Sequence, residues 1–158
     1  MIDVYFSFGS NQGDRRQNIE SAATMLFEEL DARQMLFSDI IETPAWGFDG
    51  EEFLNCAVLC TLPRKNISAE AQALEILKVI KRIEKTLGRT ETIEYDAEGN
   101  RIYHSRPIDI DILFFGQHVI DLPTLTIPHP LIGERDFVKI PLSQIAKPAL
   151  KRAFSALF

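Results

Sequence analysis

The chain has 158 residues, 46% of them hydrophobic and 25% charged, with 17 basic against 23 acidic side chains and a formal net charge of −6. That length holds one domain, residues 1–158, large enough to bury a core without disulfides or a structural metal. The acidic balance excludes a broad electrostatic footprint for nucleic acid or an anionic membrane, no apolar run reaches the ~20 residues of a membrane span, and "MIDVYFSFGSN" lacks the basic n-region of a secretory leader, so the protein is expected in the cytoplasm.

Residues 2–9 alternate as a strand, and "GSNQGD" then makes a Gly-rich turn with Asp14 as candidate N-cap. Ile19, Ala22, Ala23, Leu26, Phe27 and Leu30 recur at helical spacing, which predicts a helix over 14–31. Residues 35–42 read as a second strand, "TPAWGFDGEE" as a loop, and 53–62 as a third strand. In that strand Cys56 and Cys60 have Cα atoms about 13 Å apart. A disulfide needs them within about 7 Å, so both are expected as reduced, buried thiols.

Ser68 caps a second helix whose stripe is Leu74, Leu77, Ile80, Ile83 and Leu87, with Gly88 as its stop and Lys78, Lys81 and Lys85 on the solvated face. Residues 89–105 are polar and aperiodic, with "DAEGN" a turn signal, and read as a long loop. The strand "RPIDIDILFFG" follows, and then a Pro-punctuated tail in which "PLSQIA" suggests a short helix.

The aspartates of that last strand are its anomaly. Alternation puts Ile108, Ile110, Ile112 and Phe114 on one face and Asp109, Asp111, Leu113 and Phe115 on the other. Two carboxylates about 6.5 Å apart repel by roughly 2.5 kcal/mol at an effective dielectric of ~20, and Asp is a poor strand former. A hard divalent cation would explain that cost, because Mg²⁺ takes one or two carboxylates and fills its octahedron with water and phosphate oxygens; the motif alone equally fits a sheet whose second face is wet, with the aspartates there by chance.

The order β, α, β, β, α, β is the ferredoxin-like pattern of an α+β domain: a mainly antiparallel sheet, helices on one face, and a cleft on the other. The sequence carries no G-x-x-x-x-G-K-[ST] phosphate loop and no protein-kinase signature set. An RNA-recognition module of the same fold would need an aromatic RNP1 pattern and a basic face, and neither is present.

Seven segments, "FGSNQGDR", "ETPAWG", "FLNCAV", "IEKTLGR", "RPIDIDILFFG", "LTIPHP" and "ERDFVKIPLSQIA", together resemble the 6-hydroxymethyl-7,8-dihydropterin pyrophosphokinase family, in that family's order and across nearly the whole chain. The resemblance implies diphosphate transfer from ATP to a reduced pterin alcohol, in folate biosynthesis, by a monomer or weak dimer with no nucleic-acid or membrane partner. It implies two Mg²⁺ ions on Asp109 and Asp111, with Arg106 and Arg89 as further catalytic residues. For the pterin it implies hydrogen bonds from Asn55, contacts from Thr43, Pro44 and Trp46, and a sandwich between Phe53 and Phe137. For ATP it implies Glu84, Arg89, Arg106, Thr126 and His129, with Arg101 as a lid arginine. The chain departs from the family in its longer, acidic stretch before the aspartates and in Thr124, where a basic residue is frequent.

Overall fold

The computed structural model describes residues 1–44, 52–88, 94–102 and 107–158, with the backbone alone at 94, 101 and 102. Strand β1 (Ile2–Ser10) leads into helix α1 (Arg15–Glu29), whose first turn is closed by Asp14 accepting from the Gln17 N–H at 3.1 Å. Strands β2 (Gln34–Phe37) and β3 (Ile41–Thr43) precede β4 (Phe53–Leu62). Helix α2 (Ala69–Thr86) is capped by Ser68, whose Oγ accepts from the Ala71 N–H at 3.1 Å, and it stops at Gly88, with φ of +99°.

A hairpin of β5 (Glu94–Tyr95) and β6 (Arg101–Ile102) leads to β7 (Asp109–Phe115), and a second hairpin pairs β8 (Ile120–Leu122) with β9 (Leu125–Ile127). Helices α3 (Asp136–Ile145) and α4 (Pro148–Ala153) end the chain.

The protein is α+β. Its main sheet runs β2-β4-β1-β7, with β3 also paired to β4 and every pairing antiparallel. Central strand β1 is buried on both faces. Val4, Phe6 and Phe8 pack with Cys56, Val58 and Cys60 of β4 against α1 and α2, where Ile19, Leu26, Ile76, Ile80 and Ile83 complete the core. On the opposite face Tyr5, Ala57, Leu59, Leu113 and Phe114 meet Val138, Leu142 and Ile145 of α3 and Leu150 of α4. That second face, expected to stay open for a site, is therefore largely covered by the C-terminal helices.

Four local expectations are corrected. The strand expected over 35–42 is split: Phe37 pairs with Val58 and Ile41 with Asn55, so three residues span a gap of two, and Ser38 Oγ accepts the Ala57 N–H at 2.8 Å within the bulge. A second irregularity leaves Leu113 as an extra residue, since Tyr5 pairs with Phe114 but Phe6 with Ile112. Phe114 thereby joins the α3 face and Phe115 the α2 face, the reverse of simple alternation.

Helix α2 buries Ala73, Ile76, Val79, Ile80 and Ile83 and packs the expected Leu77 and Leu87 partly against the same core, a stripe wider than the expected one, while Leu77 and Lys81 also border a cleft. The loop expected over 89–105 contains the β5–β6 hairpin. Asp96 Oδ1 accepts from the Glu98 and Asn100 N–H groups, and Gly99 adopts φ of +85° at its tip.

Candidate active site

Register builds the site. Asp109 pairs with Gly9, and Gly9 pairs with Asn55 on its other side. The next rung on the same face is Asp111, Ser7 and Ala57. The aspartates and Asn55 therefore share one face, and Gly9 alone lies between Asp109 and Asn55, about 10 Å apart across two inter-strand spacings. Gly9 was not singled out in the sequence, yet it keeps this rung open: a Cβ there would lie 3.1 Å from Asn55 Oδ1 and 3.5 Å from Phe53 Cδ1.

Asn55 is 4% exposed, and its Nδ2 donates to Thr43 Oγ1 at 2.6 Å. Thr43 pairs with Phe53, so the last rung of β3–β4 brings Thr43, Phe53 and Asn55 together. Phe137, at the start of α3, lies on this side of the sheet, half-buried against the second core, with the Arg135 guanidinium 5.6 Å from its ring centroid. Pro44 is exposed, and Trp46 lies outside the described residues.

A cleft of about 680 Å³ runs along the outer edge of β7 between α2 and residues 123–135. Asp109 and Asp111 enter it with Lys81 and Leu77 from α2, Thr124, Thr126 and His129 from the β9 segment, and Arg135. The side chain of Asp111 is 37% exposed there. Lys81 lies on the solvated face as expected, 52% exposed, and sequence reasoning missed only that this face borders the cleft, as it missed the cleft position of Arg135, inside a quoted motif but given no role. Each comes from an element remote from the aspartates, so no local pattern signals it.

The β9 segment also fixes His129. Its backbone N–H donates to Leu113 O at 3.0 Å, and its Nδ1 accepts from the Leu131 N–H at 3.1 Å. The neutral ring therefore carries its proton on Nε2, which lies 3.9 Å from Asp111 Oδ1. Burial first, and then the nearby Arg135 charge, hold the His129 pKa below its ordinary value, against an opposing pull from Asp109. At neutral pH the ring is an uncharged donor aimed into the cleft.

Glu84 is only 1% exposed. Its Oε2 accepts from the N–H of Ile110, the residue between the two aspartates, at 3.1 Å, and Lys81 Nζ lies 3.7 Å from its Oε1. A carboxylate of α2 thus holds the edge of β7 where the aspartates project. Glu84, which the resemblance implies for ATP, accepts this hydrogen bond from the strand backbone. Arg89 and Arg106 lie outside the described residues, as does the side chain of Arg101.

Two carboxylates facing one open cleft are a hard, oxygen-only donor set that fits Mg²⁺, an ion content to take its remaining ligands from water and phosphate. Lys81, His129 and Arg135 around them suit an anionic substrate.

The profile of the 7,8-dihydro-6-hydroxymethylpterin-pyrophosphokinase family matches residues 5–147. The 2-amino-4-hydroxy-6-hydroxymethyldihydropteridine pyrophosphokinase of Porphyromonas gingivalis is 38% identical over 148 residues, covering 92% of each chain. The protein of the same name from Bacillus subtilis is 33% identical over 154 residues, 97% of this chain and 83% of its own. The mitochondrial folate synthesis bifunctional protein of Pisum sativum is 35% identical over 149 residues, which span 94% of this chain and 26% of that one. The chain belongs to the 7,8-dihydro-6-hydroxymethylpterin-pyrophosphokinase family, and its activity is diphosphate transfer to hydroxymethyldihydropterin in folate synthesis.

Proposed function

We propose that the rung Asp109, Gly9, Asn55 joins the two halves of the reaction, with ATP and Mg²⁺ at its β7 end and the pterin at its β4 end. Asp109 and Asp111 hold two Mg²⁺ ions, which neutralise phosphate charge when bound. Lys81, Thr126, His129 and Arg135 take the phosphate oxygens from the cleft walls. Glu84 acts through the Ile110 N–H, fixing the backbone between the two aspartates.

On the pterin side, the Asn55 amide, oriented by Thr43, pairs with the amide edge of the ring, while Phe53 and Phe137 cover its faces and Pro44 and Trp46 contribute from the adjoining loop. The hydroxymethyl oxygen attacks the β-phosphorus, the bond to the α-phosphate oxygen breaks, AMP leaves, and the hydroxyl proton passes to solvent. Positioning and charge do the catalysis, and no side chain becomes a covalent nucleophile. Arg89 and Arg106 belong to the ATP side of this reading on the strength of their motifs, and Arg101, in the stretch that departs from the family, is placed there as the replacement for a lid arginine.

The reading takes the core as ferredoxin-like, supported by the order second, third, first, fourth once β2 and β3 are counted as one strand. It takes the protein as a cytoplasmic monomer or weak dimer whose partners are ATP and the pterin, with no nucleic acid or membrane.

The single observation that carries it is the shared face of Asp109 and Asn55 across Gly9. Phosphorus NMR of the protein with Mg-ATP and the reduced pterin alcohol tests it: AMP and a pterin diphosphate appear together in wild type, and Asp111→Asn abolishes both. Formation of ADP, or undiminished turnover by Asp111→Asn, contradicts it.

A further inference from the structure

We infer that Arg15 is a positioning residue for the pterin end of the site, and that the "GSNQGDR" turn exists to aim it. Resting on the assignment of Asn55 and Thr43 to the pterin, this deepens that assignment.

The Gly-rich turn is too short to claim phosphate, and several of its hydrogen bonds fix its own shape. Asn18 Nδ2 donates to Gln12 O at 2.8 Å and lies 3.4 Å from Ser10 Oγ. Gly13 takes φ of +68°, and Asp14 caps the helix. Ser10 and Asn11 are buried. Such a turn fixes where the first helical residue stands.

That residue is Arg15, and one of its nitrogens bridges two strands. Nη1 donates to Glu42 Oε1 at 2.9 Å and to the Glu52 carbonyl at 2.7 Å. Glu42 is in β3 and Glu52 immediately precedes β4, so these acceptors flank the rung Thr43–Phe53 that closes the hairpin. Glu42 alternates with Thr43, so Arg15 grips the rung from the α1 side while Asn55 grips Thr43 from the site side. The ion pair with Glu42 is partly exposed, at 27% and 50%, and contributes little by itself. The charge-assisted bond to the Glu52 carbonyl is what ties the two chain ends together.

Without Arg15, Thr43 and Phe53 keep their pairing partners but lose the brace that sets their separation at the end of the ladder. The consequence falls on the ligand that those residues touch. ATP, held along the β7 edge on the far side of Gly9, is spared.

The test is calorimetric titration of the full chain with Mg²⁺ and a non-hydrolysable ATP analogue, first alone and then saturating while the pterin alcohol is added. Arg15→Ala is expected to raise the pterin Kd at least tenfold with the analogue Kd within twofold, and kcat at saturating pterin should fall less than kcat/KM. Arg15→Lys, which keeps charge and can reach one acceptor, should recover most of that loss. Glu42→Ala, which removes only the weaker acceptor, should raise the pterin Kd two- to fivefold, and it decides the matter if Arg15→Ala does not fold. Equal losses for both ligands, or a pterin Kd within twofold of wild type in Arg15→Ala or, failing that, in Glu42→Ala, overturn the inference. Asn55→Ala is run beside them: if it too leaves pterin binding intact, the pterin assignment itself falls and this inference with it.

Discussion

Gly9→Ala perturbs the site by a single methyl group. Gly9 has no positive φ that would exclude a side chain, so the substitution acts through space alone. The new Cβ would stand 3.1 Å from Asn55 Oδ1, closer than carbon and oxygen ordinarily approach, and 3.5 Å from Phe53 Cδ1, an ordinary contact. Asn55 is buried and tied to Thr43, so it must give by a few tenths of an ångström, and it gives along the bond that orients its amide. For the fold, overpacking costs about 1–3 kcal/mol, partly offset by ~0.5–1 kcal/mol from replacing glycine within a strand. The net loss is at most about 2.5 kcal/mol, and the variant folds. For binding, a displaced hydrogen-bonding group in a buried specific site costs about 1–2 kcal/mol, or roughly 5- to 30-fold in Kd. Calorimetry with Mg²⁺ and a non-hydrolysable ATP analogue present should read that loss for the pterin and less than about twofold for the analogue. A pterin Kd unchanged by Gly9→Ala, or an equal loss of both ligands, would refute the open-rung argument.

Asp109→Asn and Asp111→Asn should fold, melt no lower than wild type without metal because roughly 2.5 kcal/mol of repulsion is relieved, and lose at least about 100-fold in kcat by stopped assay; retention of more than a tenth of kcat contradicts the metal role. Burial pushes the Cys56 and Cys60 thiols up to about 12, so neither should react with an aromatic disulfide reagent at pH 8 until denaturant is added. Because their folded pKa values are raised, the associated stability is complete below the ordinary thiol pKa and is lost as pH climbs toward 12, so the denaturation midpoint should fall above about pH 9. Ser68→Ala removes the acceptor for the Ala71 N–H and should lower stability by about 1 kcal/mol in urea titration without altering kcat.

Local chemistry was legible in the sequence and long-range register was not. Asp14 and Ser68 announced their helices because a cap is decided within three residues, and both make the expected bond. The parity of Asp109 and Asp111 held because it spans two residues, but it failed at Phe114, where the extra residue Leu113 in the pairing with β1 reverses the faces. The slip at Ser38 is equally invisible locally, since its hydroxyl substitutes for backbone only once Ala57 is opposite. Helix α3 begins at Asp136, earlier than "PLSQIA" suggested, because Pro141 reads as a start when it is in fact internal to the helix. Lys81, Arg135, Gly9 and Arg15 acquire meaning only when separate elements meet, which motif reading cannot supply. Expectations for Arg89, Arg106 and Trp46 fall outside the described residues.

The central claim is that the aspartate pair and the pterin-facing Asn55 serve one bound pair of substrates across Gly9. Replacing Mg²⁺ with paramagnetic Mn²⁺, in the ternary complex with a non-hydrolysable ATP analogue and the pterin alcohol, tests it by the relaxation of the pterin 6-hydroxymethyl protons. The account predicts strong enhancement, corresponding to a metal within about 10 Å, the span of two strand spacings, which disappears in Asp111→Asn. Hydroxymethyl protons that relax no faster with Mn²⁺ than with Mg²⁺, while the pterin is demonstrably bound, would contradict it.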